Sequence, residues 1–138
     1  MMTGFEILEH PADIGVAFWA PELSGAFLTA AQGLVSLLGG CESLPQTRSV
    51  AIHVEGSDRL ELLYNWLSEI LYYFDGEDFL LSRCQIKQLD EHSLDAECTG
   101  VSPPTSTEDT YDVKAITYHQ LALDRSDDGW RGRFYVDI

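Results

Sequence analysis

The sequence predicts an α+β fold: mostly antiparallel or mixed sheet packed with two amphipathic helices, in the order β-β-α-β-α-β-β-β-β. Three observations carry that reading. Apolar residues recur at helical spacing in two segments, Leu23 to Leu38 and Leu60 to Phe74. Elsewhere they alternate with polar residues, as in Val50, Ile52 and Val54 or Leu94, Ala96 and Cys98. Short turn signals, Asp90-Glu91 and Asp127-Asp128-Gly129, separate consecutive strand segments and so join antiparallel neighbours.

Each element has its own justification. Phe5 and Ile7 alternate with Glu6 and Leu8 in a first short strand, which Pro11 interrupts because it supplies no backbone donor. Ile14 to Ala20 is a second strand; Gly15 weakens it but lets another backbone approach closely. Leu23, Phe27, Ala30, Ala31, Leu34 and Leu38 predict a helix over 24–38, with Ser24 as N-cap and Gly39-Gly40 as stop. Val50 to Glu55 is a half-buried strand. Asp58 and Glu61 stand at capping-box spacing before a second helix. Its stripe runs through Leu60, Leu63, Tyr64, Leu67, Ile70, Leu71 and Phe74, with Trp66 off centre, and Asp75-Gly76 ends it. The helices must cover one sheet or sit between two. Phe79 to Leu89 and Ser93 to Val101 form a hairpin. Residues 101–109, with Pro103-Pro104, make the least ordered stretch by composition. Val113 to Leu123 is a strand of mixed pattern, and Trp130 to Ile138 is the last.

The 138 residues fit one domain, 1–138, without internal repeat or linker. Twenty-three acidic against 8 basic side chains leave a formal charge of −15. Such a surface repels phosphates and anionic membranes, which argues against strong direct nucleic-acid binding and against a membrane partner. It suits cations or a basic protein. No apolar run approaches the roughly 18 residues of a membrane span. Cys41, Cys84 and Cys98 form no C-x-x-C motif and are odd in number, so a reducing, cytoplasmic setting and buried apolar roles are expected.

Familiar catalytic motifs are missing. Gly39-Gly40 lacks the Lys-Ser/Thr of a phosphate loop, and no G-x-S-x-G elbow appears. The acidic run Asp124 to Gly129 lacks the spacing of a calcium loop and reads as a hairpin turn. His53 and His92 read as surface histidines. Three clusters mix polar and apolar character: His10-Pro11-Ala12-Asp13, Lys114 to His119, and Val136-Asp137-Ile138. Each has a plain alternative as a turn cap, a solvent-facing strand face or an acidic strand end. Asp137 beside the α-carboxylate of Ile138 also has the makings of half a hard-metal site.

Taken together and in order, these clusters resemble the archease family. The resemblance runs from His10, Ala12, Asp13, Ile14 and Gly15 through the Phe27–Leu38 and Asp58–Glu69 helices. It continues through Lys114-Ala115-Ile116-Thr117-Tyr118-His119 to Val136-Asp137-Ile138. Pro11 replaces the threonine usual in the family, which removes a hydroxyl, and the loop at 102–109 is more extended than expected. The resemblance implies a non-enzymatic, metal-binding accessory protein that activates an RtcB-type RNA ligase in tRNA splicing or RNA repair. It would promote guanylylation of the ligase and multiple turnover. It also implies the ligands Asp13, Asp137 and the carboxylate of Ile138, with Lys114 as accessory and His10 and His119 as orienting residues. Three hard oxygens favour Ca²⁺, then Mg²⁺. The competing readings are a chaperone-like modulator of a tRNA methyltransferase, a small metal-dependent hydrolase with His10 or His119 as base, and an acidic interaction domain.

Overall fold

In a computed structural model, residues 2–9, 13–103 and 110–138 are described. The order of elements is the expected one: β1 (Gly4–Glu9), β2 (Asp13–Ala20), α1 (Leu23–Leu37), β3 (Arg48–Glu55), α2 (Arg59–Gly76), β4 (Leu80–Leu89), β5 (Ser93–Val101), β6 (Ala115–Ser126) and β7 (Gly129–Asp137). They make two fully antiparallel sheets, one ordered β1-β2-β7-β6 and the other β3-β5-β4. Of the two arrangements open for the helices, they take the second and sit between the sheets. Helix α1 packs on β1, β2 and β7 of the first sheet and on β4 of the second. Helix α2 bridges β6 to β3, β4 and β5. No helix among the described residues is long and apolar enough to cross a membrane.

This sandwiching explains why α2 buries a different stripe from the one its sequence suggests. Leu62, Leu63, Trp66, Leu67, Ile70 and Leu71 are its buried residues, so Trp66 lies at the centre of the face rather than off it. A helix with neighbours on both sides needs a wide apolar arc. Trp66 is 0% exposed, and its indole N–H donates to the Phe27 carbonyl of α1 at 3.0 Å, which satisfies the polar atom of an otherwise apolar ring.

The helix ends show which local signals were sufficient. Asp58 caps α2 as its spacing requires, accepting from the Glu61 N–H at 2.8 Å. The Glu61 carboxylate reaches back to the Ser57 N–H at 2.9 Å. Ser24, by contrast, does not cap α1. The helix begins one residue earlier behind Glu22, whose side chain makes no capping bond. At the other end Gly39 takes φ 92°, and the Gly39 and Gly40 N–H groups donate to Ser36 and Val35. That is the Schellman closure a glycine pair permits.

Gly15 admits a close neighbour, but the neighbour is a ring rather than a backbone. It pairs with Tyr135 across β2 and β7, and a Cβ there would come within 2.6 Å of the Tyr135 ring. Cys98 is buried as expected; Cys84 is half-buried, and Cys41 departs from the expectation by lying exposed, 3.0 Å from the Ser43 hydroxyl. Asp127-Asp128 forms the tight turn expected of it, with Ser126 opposite Gly129.

Candidate functional site

Asp13, Asp137 and the start of the Lys114 to His119 segment meet at one corner of the first sheet, where β2, β7 and β6 lie side by side. Antiparallel register sets Asp13 directly opposite Asp137, and Asp137 directly opposite Ala115. Directly opposed residues point to the same face, with Cβ atoms about 4.5–5.5 Å apart. Two carboxylates therefore share one surface, flanked by an alanine too small to screen them. The adjoining pair, Ile14 and Val136, points inward and is buried, which fixes Asp13 and Asp137 outward. Asp13 is half-buried and Asp137 exposed.

The neighbours of this pair are arranged by β6. The Lys114 N–H donates to the Asp137 carbonyl at 2.8 Å, so the Lys114 backbone is fixed against the acidic strand while its side chain is exposed. Ile138 follows directly and is 36% exposed. Between Thr117 and Ala122 the β6–β7 register slips, with Gln120 at φ 52°. This bulge parts the two ends of the Thr117-Tyr118-His119 run. The Tyr118 ring stacks on Tyr64 of α2 at 4.0 Å. The exposed His119 ring instead stands edge-on to Tyr135 at 5.7 Å. Tyr135 lies two residues before Asp137 and so on the same face of β7, which brings His119 to the acidic side of the sheet. Tyr135 is 6% exposed, on the bare backbone of Gly15.

The approach to Asp13 is also held. The Tyr111 hydroxyl donates to the Glu9 carboxylate at 3.1 Å, which raises the tyrosine's pKa, and the Tyr111 N–H donates to the Leu37 carbonyl at 3.1 Å. Glu9 closes β1 just before His10, so β1 and the segment entering β6 are tied together here. Sequence reasoning missed Tyr111 and Tyr135; aromatics beside strand residues look like ordinary core.

Asp13, Asp137, Lys114, Ile138 and His119 are thus gathered on neighbouring strands. His10 and Pro11 lie outside the described residues, as do residues 104–109 of the loop expected to be extended. Among the described residues, no three His, Cys, Asp or Glu side chains converge as a metal-binding group. Asp13 and Asp137 are a pair, and the third donor expected from the sequence is a main-chain carboxylate, that of Ile138. The carboxylates on this face offer hard oxygens, and the like charges of Asp13 and Asp137 face each other with no cation bonded to either among the described residues. That chemistry fits a calcium- or magnesium-type ion.

The family model described as the Archease protein family matches residues 5–138. Protein archease of Pyrococcus furiosus is 33% identical over 142 residues, covering 99% of this chain and 100% of that protein. Protein archease of Sulfolobus acidocaldarius is 32% identical, with 99% and 100% covered. The solution structure of protein 1598 of Methanobacterium thermoautotrophicum superposes with a TM-score of 0.75 at 27% identity, covering 98% of this chain and 99% of that one. A crystal structure from Thermotoga maritima, described as an archease and possible chaperone, shares the fold with a TM-score of 0.69 at 17% identity, covering 95% and 94%. The match takes in the β2–β7–β6 corner along with both helices and both sheets, and on that footing the chain belongs to the archease family.

Proposed function

We propose that this protein is a non-enzymatic accessory factor that activates an RtcB-type RNA ligase in the cytoplasm, through a divalent-cation site at the β2–β7–β6 corner. The observation that supports it most is the direct opposition of Asp13 and Asp137. Like charges set directly across a ladder are destabilising. Maintaining them costs stability unless a cation joins them. The proposed ligands are the carboxylates of Asp13, Asp137 and Ile138, with calcium preferred to magnesium because calcium accepts several carboxylates in a flexible geometry whereas magnesium demands a near-ideal octahedron. A bound cation would neutralise the facing carboxylates and lock the three strands in one arrangement.

The chain's own groups then have distinct tasks. Lys114 is tied to Asp137 by its backbone and has an exposed side chain, whose ammonium is proposed to offset surplus charge or meet an anionic group of the partner. His119 is held by Tyr135, which Gly15 makes room for, and it orients groups on the same face. The formal charge of −15 makes RNA a poor direct ligand and a basic ligase face a good one. Promotion of the guanylylated ligase and of repeated turnover is what the family resemblance implies for a factor docked in this way.

The test is an extension of a few residues after Ile138, which displaces the carboxylate and leaves every side chain in place. Calcium-dependent stabilisation and stimulation of ligase turnover should both be lost. Survival of both would refute the site. Measuring methyltransferase specificity with the same two proteins separates ligase activation from a methyltransferase-modulating role.

A further inference from the structure

The second sheet holds a cysteine pair that the proposed function leaves unused. Cys84 of β4 and Cys98 of β5 are directly opposite each other in the antiparallel ladder. Directly opposed residues have Cα atoms about 4.5–5.5 Å apart, inside the roughly 4.4–6.8 Å range that a disulfide spans. The neighbouring Cys98 thiol and burial both push the Cys84 thiol's pKa well above its ordinary value, so the pair stays protonated and unreactive while the sheet is closed. Both side chains belong to the apolar cluster against the helices, Cys98 fully buried and Cys84 half-buried.

Two further features distinguish this pair from chance proximity. Strand β4 is a free edge of its sheet, and its register slips on both sides of Cys84, between Leu81 and Arg83 and again between Ile86 and Gln88. A doubly bulged edge is the part of a sheet that opens most readily. Small molecules can also reach it. Two surface cavities, of about 330 and 270 Å³, have Cys84 in their walls, one between α1 and β4 and the other over Arg83, Gln85 and Thr99.

We propose that Cys84 and Cys98 form a reversible cross-strand disulfide that staples the edge strand β4 to β5 when the protein meets a small oxidant such as hydrogen peroxide. When the bulged edge opens and solvent lets Cys84 ionise, its thiolate attacks one peroxide oxygen and the O–O bond breaks. The departing hydroxide takes up the proton that the thiol released and becomes water, leaving a sulfenic acid on Cys84. The Cys98 sulfur then attacks the Cys84 sulfur; the S–S bond forms, the S–O bond breaks, and hydroxide leaves with the Cys98 proton as a second water. Two thiols are oxidised by two electrons and the peroxide is reduced to two waters. Cytosolic disulfides of this kind are transient and redox-sensing rather than structural.

The test treats the intact protein with hydrogen peroxide and maps its cysteines. The expected product has lost two hydrogens in intact mass, carries a Cys84–Cys98 cross-linked peptide, and returns to the starting mass with dithiothreitol. Its melting temperature should rise by several degrees, because the cross-link restricts the unfolded chain. Cys41→Ser should react identically, whereas Cys84→Ser and Cys98→Ser should give no intramolecular cross-link. Cross-links through Cys41, or separate irreversible oxidation of Cys84 and Cys98 without a bridge in the folded wild-type protein, would overturn the proposal.

Discussion

The two sheets of this protein each set acidic residues across a ladder, and they resolve the charge in opposite ways. On the outer face of the second sheet, Asp95 of β5 is directly opposite His53 of β3. His53 stands between two acids, with Nδ1 2.7 Å from Asp95 and Nε2 2.8 Å from Glu55. When protonated, the imidazole supplies a cation between the two acids and brings the cluster from −2 to −1, so the charge is partly compensated within the chain. At the corner of the first sheet, Asp13 and Asp137 oppose each other and neither carries an ion pair among the described residues. Register therefore gives an ion-paired surface cluster in one place, where an acid faces a histidine, and an uncompensated pair in the other, where an acid faces an acid. An uncompensated pair is a functional signal because it costs stability, whereas a completed one needs no function to explain it.

The sharpest way to break this contrast is Asp137→Asn, which should have opposite consequences with and without calcium. Without added cation the variant should be slightly more stable than the parent, by about 0.2–1 kcal/mol, since like charges no longer face each other. With calcium it should fall behind, because affinity should drop on the order of 100-fold when one charged oxygen ligand is lost. Calorimetric titration and thermal melts at matched calcium concentrations would measure both. Equal destabilisation of the variant under both conditions would mean that Asp137 has a purely structural role.

How much of this was readable in the sequence depends on how local each signal is. Helix α2 was legible at its start because Asp58 and Glu61 make their capping contacts within one turn. The start of α1 was not, because Glu22 opens the helix without a capping side chain that composition could reveal. The buried face of α2 was misjudged for another reason: only the presence of a sheet on each side makes Trp66 central. Asp13 and Asp137 could be nominated through family resemblance, but their opposition depends on long-range register. The cysteines show the limit most clearly. Counted back from the Leu89–Leu94 pair, an unbroken hairpin would set Cys84 opposite Thr99. The extra residue at Lys87 shifts the register by one and puts Cys84 opposite Cys98 instead. A bulge has no composition signal strong enough to announce that shift.

The support beneath the acidic corner can be tested separately from its charge. Gly15→Ala adds a Cβ that would meet the Tyr135 ring at 2.6 Å. The ring must move, and with it the His119 ring that packs edge-on against it. Such overpacking should cost about 1–3 kcal/mol in denaturant unfolding. Because it reaches the site only through Tyr135 and His119, calcium affinity should fall less than in Asp137→Asn. A loss of affinity as large as that variant's would show that ring placement, not the paired carboxylates, controls binding.

The smallest effect belongs to the completed cluster, and it is a matter of pH. Hydrogen bonds from His53 to Glu55 first and then to Asp95 raise its pKa above the ordinary 6.5. A raised value means that the folded protein holds the proton more tightly than the unfolded chain does. The stability contributed by that proton is therefore fully present below pH 6.5 and is lost as the pH rises through the folded value. Both acids and the histidine are well exposed, so the slope should be shallow and should flatten further in salt. His53→Gln should remove that slope in low-salt unfolding midpoints measured on either side of neutrality, while leaving the calcium response of the other sheet untouched. A calcium response that changed with His53 would tie the two sheets together and end the claim that one cluster is structural and the other functional.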